Sequence, residues 1–176
     1  MAAPSVFRSL LREKLDSVCG SLQRFSDAPQ GASGTLTVTH HPGRMARFFI
    51  WILRLPKEGE NLVTRISVKS NPRGEVWNRS IGSSRFVTRH RVVGDLLEER
   101  AGLFRFLHEV DVQQGALHYR QVRVYFLGIR LPRNFSPIID AEAKGDEHGW
   151  KLDLVVSCPR CGPICRYEGW VEPHWR

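Results

Sequence analysis

The residues of this 176-residue chain with the most distinctive chemistry are three cysteines near its end. Cys158, Cys161 and Cys165 form a C-x₂-C-x₃-C run, and Cys-Pro-Arg-Cys-Gly is a turn typical of zinc knuckles, in which one turn supplies two thiolates. Zinc takes four ligands, and only the adjacent His40 and His41 resemble a second pair. We therefore expect no cofactor. A zinc site and a redox-active thiol pair remain alternatives to a Pro/Gly hairpin with incidental thiols.

A second candidate site surrounds Trp77 and Arg79, which lie two residues apart in a predicted strand and so share one face. If that face lines a cavity, Arg79 supplies a cation for a carboxylate or phosphate beside an aromatic wall. Arg85, Glu98 and Tyr167 are predicted to line the same cavity. Because a buried Arg nearly always has a partner, we favour an Arg79–Glu98 ion pair that only holds strands together. For Tyr167 we favour a core position, because aromatic residues on a closing strand are usually core.

No residue receives a catalytic role. Catalysis needs a nucleophile beside a base, or paired carboxylates with separated pKa values, and the sequence contains neither signature. A phosphate-binding Gly-rich loop and a dinucleotide fingerprint are also missing. The acidic residues of 140–147 are interpreted as a solvated turn. An enzyme or accessory domain stays an alternative, which a perturbed pKa at Glu98, His90 or His108 inside a cavity would favour.

Two helices are predicted to precede the sheet. Apolar residues from Phe7 to Phe25 recur at steps of three and four, which indicates one helix that ends near Ser26. A second helix is predicted over residues 43–55, between Pro42-Gly43 and Pro56.

The second helix contains six consecutive apolar residues, from Phe48 to Leu53. A helix that is apolar all round is buried on several sides, or it touches a membrane or a partner. Burial against the sheet is the interpretation that we favour. The alternative is that Phe48, Phe49, Trp51 and Ile52 form a lid over a cavity or contact a membrane surface.

From residue 60 onward the apolar residues alternate with a period of two, which is typical of strands. The predicted strands, after a short one over 35–40, are 62–69, 75–81, 86–93, one that begins after 94–95, 103–112, 117–127, 150–156 and 166–172. Residues 128–137 are predicted to form a loop. Tight turns between successive strands favour an up-and-down antiparallel sheet, and a sheet of about eight strands curls into a barrel or half-barrel.

Composition is compatible with a single α+β domain over residues 1–176, mostly antiparallel β, with helices and one short strand in 1–56 and the sheet in 60–172. The net charge of +8 favours anionic partners, yet the basic residues are scattered along the sequence, which argues against nucleic acid. Four cysteines are too few for a disulfide-built secreted domain. No secretory signal and no membrane-spanning run is recognised, so a cytoplasmic location is expected.

Several short motifs follow one another along nearly the whole chain. They are Gly34-Thr-Leu-Thr-Val, Leu55-Pro56 with Gly59, Glu75-Val-Trp77-Asn-Arg79, Ser84-Arg-Phe86, Leu97-Glu98-Glu-Arg100-Ala-Gly102, Phe104-Arg-Phe106, Leu127-Gly128-Ile-Arg-Leu131-Pro132 and Arg166-Tyr167-Glu-Gly169-Trp170. Their order resembles the domain-of-unknown-function 4166 family. The resemblance implies one whole domain, found alone or fused to saccharopine-dehydrogenase-like or small membrane proteins, and it implies no reaction. The chain departs from the family at Ala101-Gly102 and at its cysteine run.

Together these observations predict a non-catalytic module that binds a small apolar or amphipathic ligand inside a curled sheet. The helix over 43–55 would cover the cavity, and Arg79 or Arg85 would meet an anionic end. Such a module requires an interior cavity of roughly 300 Å³ or more. A protein or peripheral membrane contact through the basic surface or this helix is the third hypothesis.

Overall fold

The computed structural model describes residues 5–27 and 31–174. Its helices are α1 (Val6–Leu11), a 3₁₀ helix (Arg12–Ser17), α2 (Gly20–Asp27), α3 (Arg44–Leu53) and a 3₁₀ turn (Arg133–Phe135). Its strands are β1 (Gly31–His40), β2 (Gly59–Asn71), β3 (Gly74–Ile81), β4 (Ser84–Val93), β5 (Leu96–Ala101), β6 (Phe104–Gln113), β7 (Ala116–Phe126), β8 (Ile129–Arg130), β9 (Ile138–Gly145), β10 (Trp150–Cys158) and β11 (Gly162–Pro173). None of the helices in these ranges is long and apolar enough to cross a membrane.

Ten of the strands form a closed antiparallel barrel. Strands β1 to β7 pair in sequence order, and α3 lies in the connection between β1 and β2. Strand β7 then pairs with β9. Strands β9, β10 and β11 follow in order, and β11 pairs with β1 to complete the ring. Only β8 stays outside it, as a short hairpin on β7. The predicted mostly antiparallel, curled sheet is therefore confirmed, but the barrel is closed and has ten strands rather than about eight.

Strand β9 is an element that the sequence analysis placed in an acidic turn. Ala141 and Ala143 face inward, and Asp140 and Glu142, which alternate with them along the strand, are exposed. Small inward residues gave only a weak apolar alternation, and this is why the pattern was missed. The solvated turn is confined to residues 146–149, where the Asp146 carboxylate accepts hydrogen bonds from the backbone N–H groups that follow it.

The prediction of a single N-terminal helix up to Ser26 is wrong. The α-helix ends at Leu11, a 3₁₀ helix follows, and α2 begins only at Gly20. A straight helix of that length spans about 30 Å. The break instead folds α1 and α2 into a compact plug that buries Phe7, Leu22 and Phe25 at one end of the barrel. The strand connections at this plug end are 72–73, 94–95, 114–115 and 146–149.

Helix α3 lies at the opposite end, where the chain connects β1 to β2. Ala46 and Phe49 are buried, and Ile52 and Leu53 pack against a cluster around Phe104. Its exposed face carries other apolar side chains, so the expected burial of this helix holds for one face only. The segments at this α3 end are 41–58, 82–83, 102–103, 127–137 and 159–161.

Two glycines allow β1 and β11 to approach closely. A Cβ atom on Gly34 would lie 2.0 Å from the Trp170 carbonyl oxygen, and one on Gly169 would lie 2.1 Å from that of Thr35. Real Cβ atoms never approach backbone so closely, so these positions of the Gly34-Thr-Leu-Thr-Val and Tyr-x-Gly-Trp motifs require glycine. These two motif glycines are therefore explained by barrel closure.

Candidate functional site

The barrel interior holds a cavity of about 240 Å³. Phe7, Leu22 and Phe25 of the plug form part of its wall, and the inward side chains of β10 from Trp150 to Val156 form another part, as their alternation predicts. The interior is therefore not solid, but its cavity falls short of the roughly 300 Å³ required above, so it has room only for a ligand smaller than a typical one. The wall is mainly apolar, and its polar groups lie mostly on β3 to β6.

Arg79 and Glu99 form the centre of this polar group. The Arg79 Nη1 atom donates to Thr88 Oγ1 at 2.9 Å and to Glu99 Oε1 at 3.1 Å. The His90 Nε2 atom lies 3.2 Å from Glu99 Oε1, and His108 Nε2 lies 3.5 Å from Glu99 Oε2. One carboxylate thus joins a guanidinium and two imidazoles inside the barrel.

Trp77 packs against both His90 and Arg79 of this group. Its ring stacks on His90 with a centroid distance of 5.1 Å, and the Arg79 guanidinium lies 4.9 Å from the Trp77 ring centroid. The Trp77 Nε1 atom donates to Glu75 Oε2, and the other oxygen of Glu75 accepts the backbone N–H of Val6. The plug, the tryptophan and the charged group are therefore linked.

Burial and charge set the protonation of these groups. Burial lowers the pKa of His90, and the nearby Glu99 carboxylate only partly opposes this, so the ring is neutral near pH 7. Burial alone would raise the pKa of Glu99, but His90, His108 and Arg79 together hold it well below its usual value. Burial also raises the pKa of Tyr119, so its phenol stays protonated.

Two buried polar atoms beside the cavity have no hydrogen-bond partner among the described residues. They are Nδ1 of His90 and Nδ1 of His108. Two further atoms are only weakly satisfied, since His108 Nε2 has the long 3.5 Å contact to Glu99 and the Tyr167 hydroxyl has the Cys165 side chain. Buried polar groups normally find a partner, so each marks a position where a polar group of a bound molecule or a water fits. All three side chains line the cavity.

The predicted Arg79–Glu98 ion pair is wrong, because Glu98 lies on the outer face of β5. Its carboxylate contacts Arg91 Nε at 2.6 Å and Arg100 Nε at 2.8 Å, with Arg105 at 3.7 Å. Successive residues of a strand point to opposite faces, so Glu99 occupies the inward position.

The other predicted site residues separate between inside and outside. Trp77, Arg79 and Tyr167 line the cavity. Arg85 is exposed and lines an open depression of about 1380 Å³ outside the barrel wall, together with Trp51 and Ile52. Arg79 borders both spaces.

The cysteine run occupies the β10–β11 turn, where the Cys161 N–H donates to the Cys158 carbonyl oxygen at 3.1 Å. Burial raises the pKa of Cys161 to about 12 and that of Cys165 to about 11, the opposite of the shift that activates a thiol. Across residues 5–27 and 31–174, no three Cys, His, Asp or Glu side chains come close enough to hold a metal ion.

Sequence reasoning missed Glu99 and Thr88 as members of this site, and it named His90 and His108 only as titratable candidates for an enzyme. The alternation of inward and outward residues could have indicated these positions, because Thr88 pairs with Trp77 and His90 pairs with Glu99 across neighbouring strands. The register that brings these side chains together is not visible in the sequence alone.

Comparison with solved structures supports the barrel fold. A protein of unknown function from the DUF3598 family of Nostoc punctiforme is similar with a TM-score of 0.50 and 8% identity, over 91% of this chain and 49% of that chain. The chain thus spans about half of that protein's length, and at this identity the similarity shows the fold alone. An abundant heat soluble (SAHS) protein from Ramazzottius varieornatus has a TM-score of 0.45 and 12% identity, over 82% of this chain and 93% of that chain.

Comparison with sequences gives the family. No curated protein matches the chain. Residues 21–171 match the family described as Domain of unknown function (DUF4166), which covers the barrel from α2 to β11. Because this match extends over most of the sequence, the protein belongs to the DUF4166 family.

Proposed function

We propose that the barrel binds a small, mainly apolar molecule that carries an uncharged hydrogen-bonding group. The observation that supports this is the interior cavity of about 240 Å³, whose mainly apolar wall includes the polar group around Arg79 and Glu99. Ligand pockets in proteins combine an apolar wall with a few fixed polar groups. The volume suits a molecule smaller than a typical drug.

The buried charges of the cavity wall argue for an uncharged polar end, since the wall's other cation, Arg54, is an exposed residue of the α3 end. The Glu99 carboxylate already compensates Arg79, so an anion would have to displace it. The Glu75 carboxylate is satisfied by Val6 and Trp77. The groups with free hydrogen-bonding capacity are the Nδ1 atoms of His90 and His108, which suit a hydroxyl or a carbonyl. The anionic end expected from the sequence is therefore replaced by a neutral one in this proposal.

The first experiment is native mass spectrometry of protein purified without chelator, which reveals any co-purified molecule. Calorimetric titration with benzyl alcohol and toluene then tests the polar end. We expect benzyl alcohol to bind about fivefold more tightly, as one net hydrogen bond contributes roughly 1 kcal/mol. In His108→Leu this preference should disappear while toluene still binds.

A cavity-filling variant tests the location. Ala141→Leu adds three carbon atoms to the cavity wall and should abolish binding of both probes. Val122→Leu, on an exposed part of β7, is the matched control and should bind as the wild type does. Equal binding by the two variants would place the probes elsewhere and contradict the proposal.

A second candidate function is acid–base catalysis on the bound molecule. It is favoured by the Glu99 carboxylate between His90 and His108, since an ionised carboxylate beside a neutral imidazole can accept and return a proton. Any molecule that co-purifies should be incubated with the wild type and with Glu99→Gln. A product that forms only with the wild type supports catalysis, and an unchanged molecule supports binding alone.

A further inference from the structure

Charge is distributed unequally between the two ends of the barrel. The connections of the α3 end carry one carboxylate, Glu58, and seven basic side chains, which are Arg44, Arg47, Arg54, Lys57, Arg130, Arg133 and Arg160. The plug helices and the described connections at their end carry five basic side chains, Arg8, Arg12, Lys14, Arg24 and Arg73, and six acidic ones, Glu13, Asp16, Asp27, Asp95, Asp146 and Glu147. Of the two barrel ends, only the α3 end therefore carries an excess of basic side chains.

The basic side chains of the α3 end are also unpaired. All seven are exposed, and within the described ranges none of them forms an ion pair. At the plug end, by contrast, Arg8 pairs with Asp16 and Asp27, and Lys14 pairs with Asp111. The positive charge of the α3 end is thus available to an external anion.

The exposed apolar side chains are concentrated at this same end. Trp51 is 74% exposed and Ile129 is 73% exposed. Seven of the eleven large apolar side chains exposed in the described chain belong to the α3 end, namely Met45, Phe48, Trp51, Leu103, Leu127, Ile129 and Phe135. Isolated exposed apolar residues are ordinary, but their accumulation on one end marks a contact surface.

The segments that carry these residues are in direct contact. The Leu127 N–H donates to the Leu103 carbonyl oxygen at 3.0 Å, and the Arg160 guanidinium lies 5.0 Å from the Phe135 ring centroid. Trp51 and Leu103 line the same open depression. The apolar tips and the basic side chains therefore form one surface, here called the mouth surface, made of the seven basic and seven apolar residues given above.

We propose that the mouth surface docks on an anionic lipid bilayer. Apolar tips that enter the boundary between headgroups and acyl chains, surrounded by Arg and Lys that meet anionic headgroups, are the features of a peripheral membrane site. Trp is the side chain most favoured at that boundary. A nucleic-acid surface presents mainly aromatic rings for base stacking, whereas four of the seven apolar side chains, Met45, Leu103, Leu127 and Ile129, have no ring.

This inference does not depend on what the cavity binds, because the basic and apolar side chains of the mouth surface are exposed on the outside of the barrel. The Ala141→Leu variant separates the two proposals. It should lose the interior probes and still bind vesicles as the wild type does.

The experiment is co-sedimentation of the full chain with sucrose-loaded vesicles, either phosphatidylcholine alone or phosphatidylcholine with phosphatidylserine at a ratio of 7:3. We expect binding to the anionic vesicles at 50 mM NaCl, a large reduction at 500 mM NaCl and little binding to phosphatidylcholine alone. Brominated lipids should quench tryptophan fluorescence, and most of this quenching should be lost in Trp51→Ser.

Variants at exposed positions keep the fold intact and locate the contact. The double variant Arg44→Ala/Arg47→Ala should bind anionic vesicles about 25-fold more weakly, since each basic side chain near an anionic surface contributes roughly fivefold. Trp51→Ser should weaken binding by about tenfold or more. The matched controls at the plug end, Arg73→Ala and Val93→Ser, should bind as the wild type does.

Three outcomes would overturn the proposal. The first is an absence of vesicle binding, or an equal loss in the variants and the controls. The second is tighter binding to a labelled single-stranded oligonucleotide with the same dependence on Arg44 and Arg47, which would assign the surface to nucleic acid. The third is a dimer in sedimentation velocity that Trp51→Ser dissociates, which would assign the surface to a second copy of the chain.

Discussion

Glu98 and Glu99 are adjacent in sequence, yet they meet opposite surroundings. Glu98 lies outside the barrel among three arginines, and Glu99 lies inside with Arg79 and two histidines. Each carboxylate has a lowered pKa although burial alone would raise it, because its basic partners outweigh that effect. The inward one faces the cavity and is therefore the residue whose loss tests the site.

Replacement of Glu99 by Gln should destabilise the protein strongly. It leaves the Arg79 guanidinium, which is only 20% exposed, without a compensating charge. Removing one partner of such a pair costs about 3–5 kcal/mol when burial is complete, so we expect about 2–4 kcal/mol in urea unfolding. The control Glu109→Gln removes an exposed partner of Arg120 and should cost less than about 1 kcal/mol. Similar losses in both variants would contradict a buried ion pair.

The stability of the protein should fall as the pH is lowered from 7 to 5. The pKa of His90 is lower in the folded state than in the unfolded chain, so the unfolded chain binds more protons in this range and is favoured. The lowered pKa of Glu99 acts in the same direction below about pH 5. Urea unfolding at several pH values measures this slope. His90→Gln should flatten it between pH 7 and 5, while His148→Gln, in the exposed turn, should leave it unchanged.

At the scale of single residues, the sequence predicts the Trp77 and Arg79 side of the site but not its acidic partner. Their spacing of two places both on one face, and both line the cavity. Choosing Glu99 rather than Glu98 as the partner of Arg79 requires the parity of β5 relative to β3. Two adjacent carboxylates give no local signal for that parity, because it depends on strand register and a β-turn between strands.

Among the elements, the N-terminal plug and α3 both carry aromatic residues but use them differently. Phe7 of α1 is 2% exposed and packs edge-on against Trp77 and Tyr119. Phe48 of α3 is 47% exposed. The plug therefore contributes to the core, whereas the outer face of α3 does not.

Phe7→Ala should cost about 3–5 kcal/mol in the free energy of unfolding, because it opens a cavity between the plug and the sheet. Phe48→Ala removes the same atoms from an exposed position and should change stability by less than about 1 kcal/mol. Thermal unfolding followed by circular dichroism compares the two variants. A larger loss for Phe48→Ala would mean that α3, rather than α1, holds the barrel end closed.

The sequence predicted elements with strong periodicity and missed those without it. Large alternating side chains identified β10, whereas the alanines of β9 were too small to give the same signal. The helical spacing of apolar residues continues through Leu15 and Val18, so the spacing does not reveal where the α-helix ends and the plug is formed. The break in the helix results from packing against the barrel end, which is a tertiary effect.

For the molecule as a whole, the pairing of β7 with β9 is the shortest of the contacts that close the barrel. It joins only residues 117–120 to residues 140–143, while β10 is paired along its length on both sides. Beyond this contact the Gln121 side chain accepts the Ile139 N–H at 3.1 Å in place of a strand partner. The wall is therefore least continuous between β7 and β9, on the side of the α3 end.

Hydrogen exchange should reveal this weak seam. The Ile139 amide should exchange faster than the amides in the middle of β10, because a side chain rather than a strand protects it. Gln121→Leu should accelerate exchange at Ile139 and leave β10 unchanged. Amide-resolved NMR measures both, and uniform protection across the barrel would contradict a local opening.

The pairing of β1 with β11 also sets an order in time. Ala32 of β1 lies opposite Pro173 of β11. The second edge of β1 is therefore covered only after β11, the last strand of the barrel, has been made. During synthesis on the ribosome that edge stays open, which is a period of exposure to aggregation and to chaperones. The cavity has no complete wall until β11 has been made. A molecule bound inside, as proposed above, would therefore be enclosed on all sides only after β11 has been made.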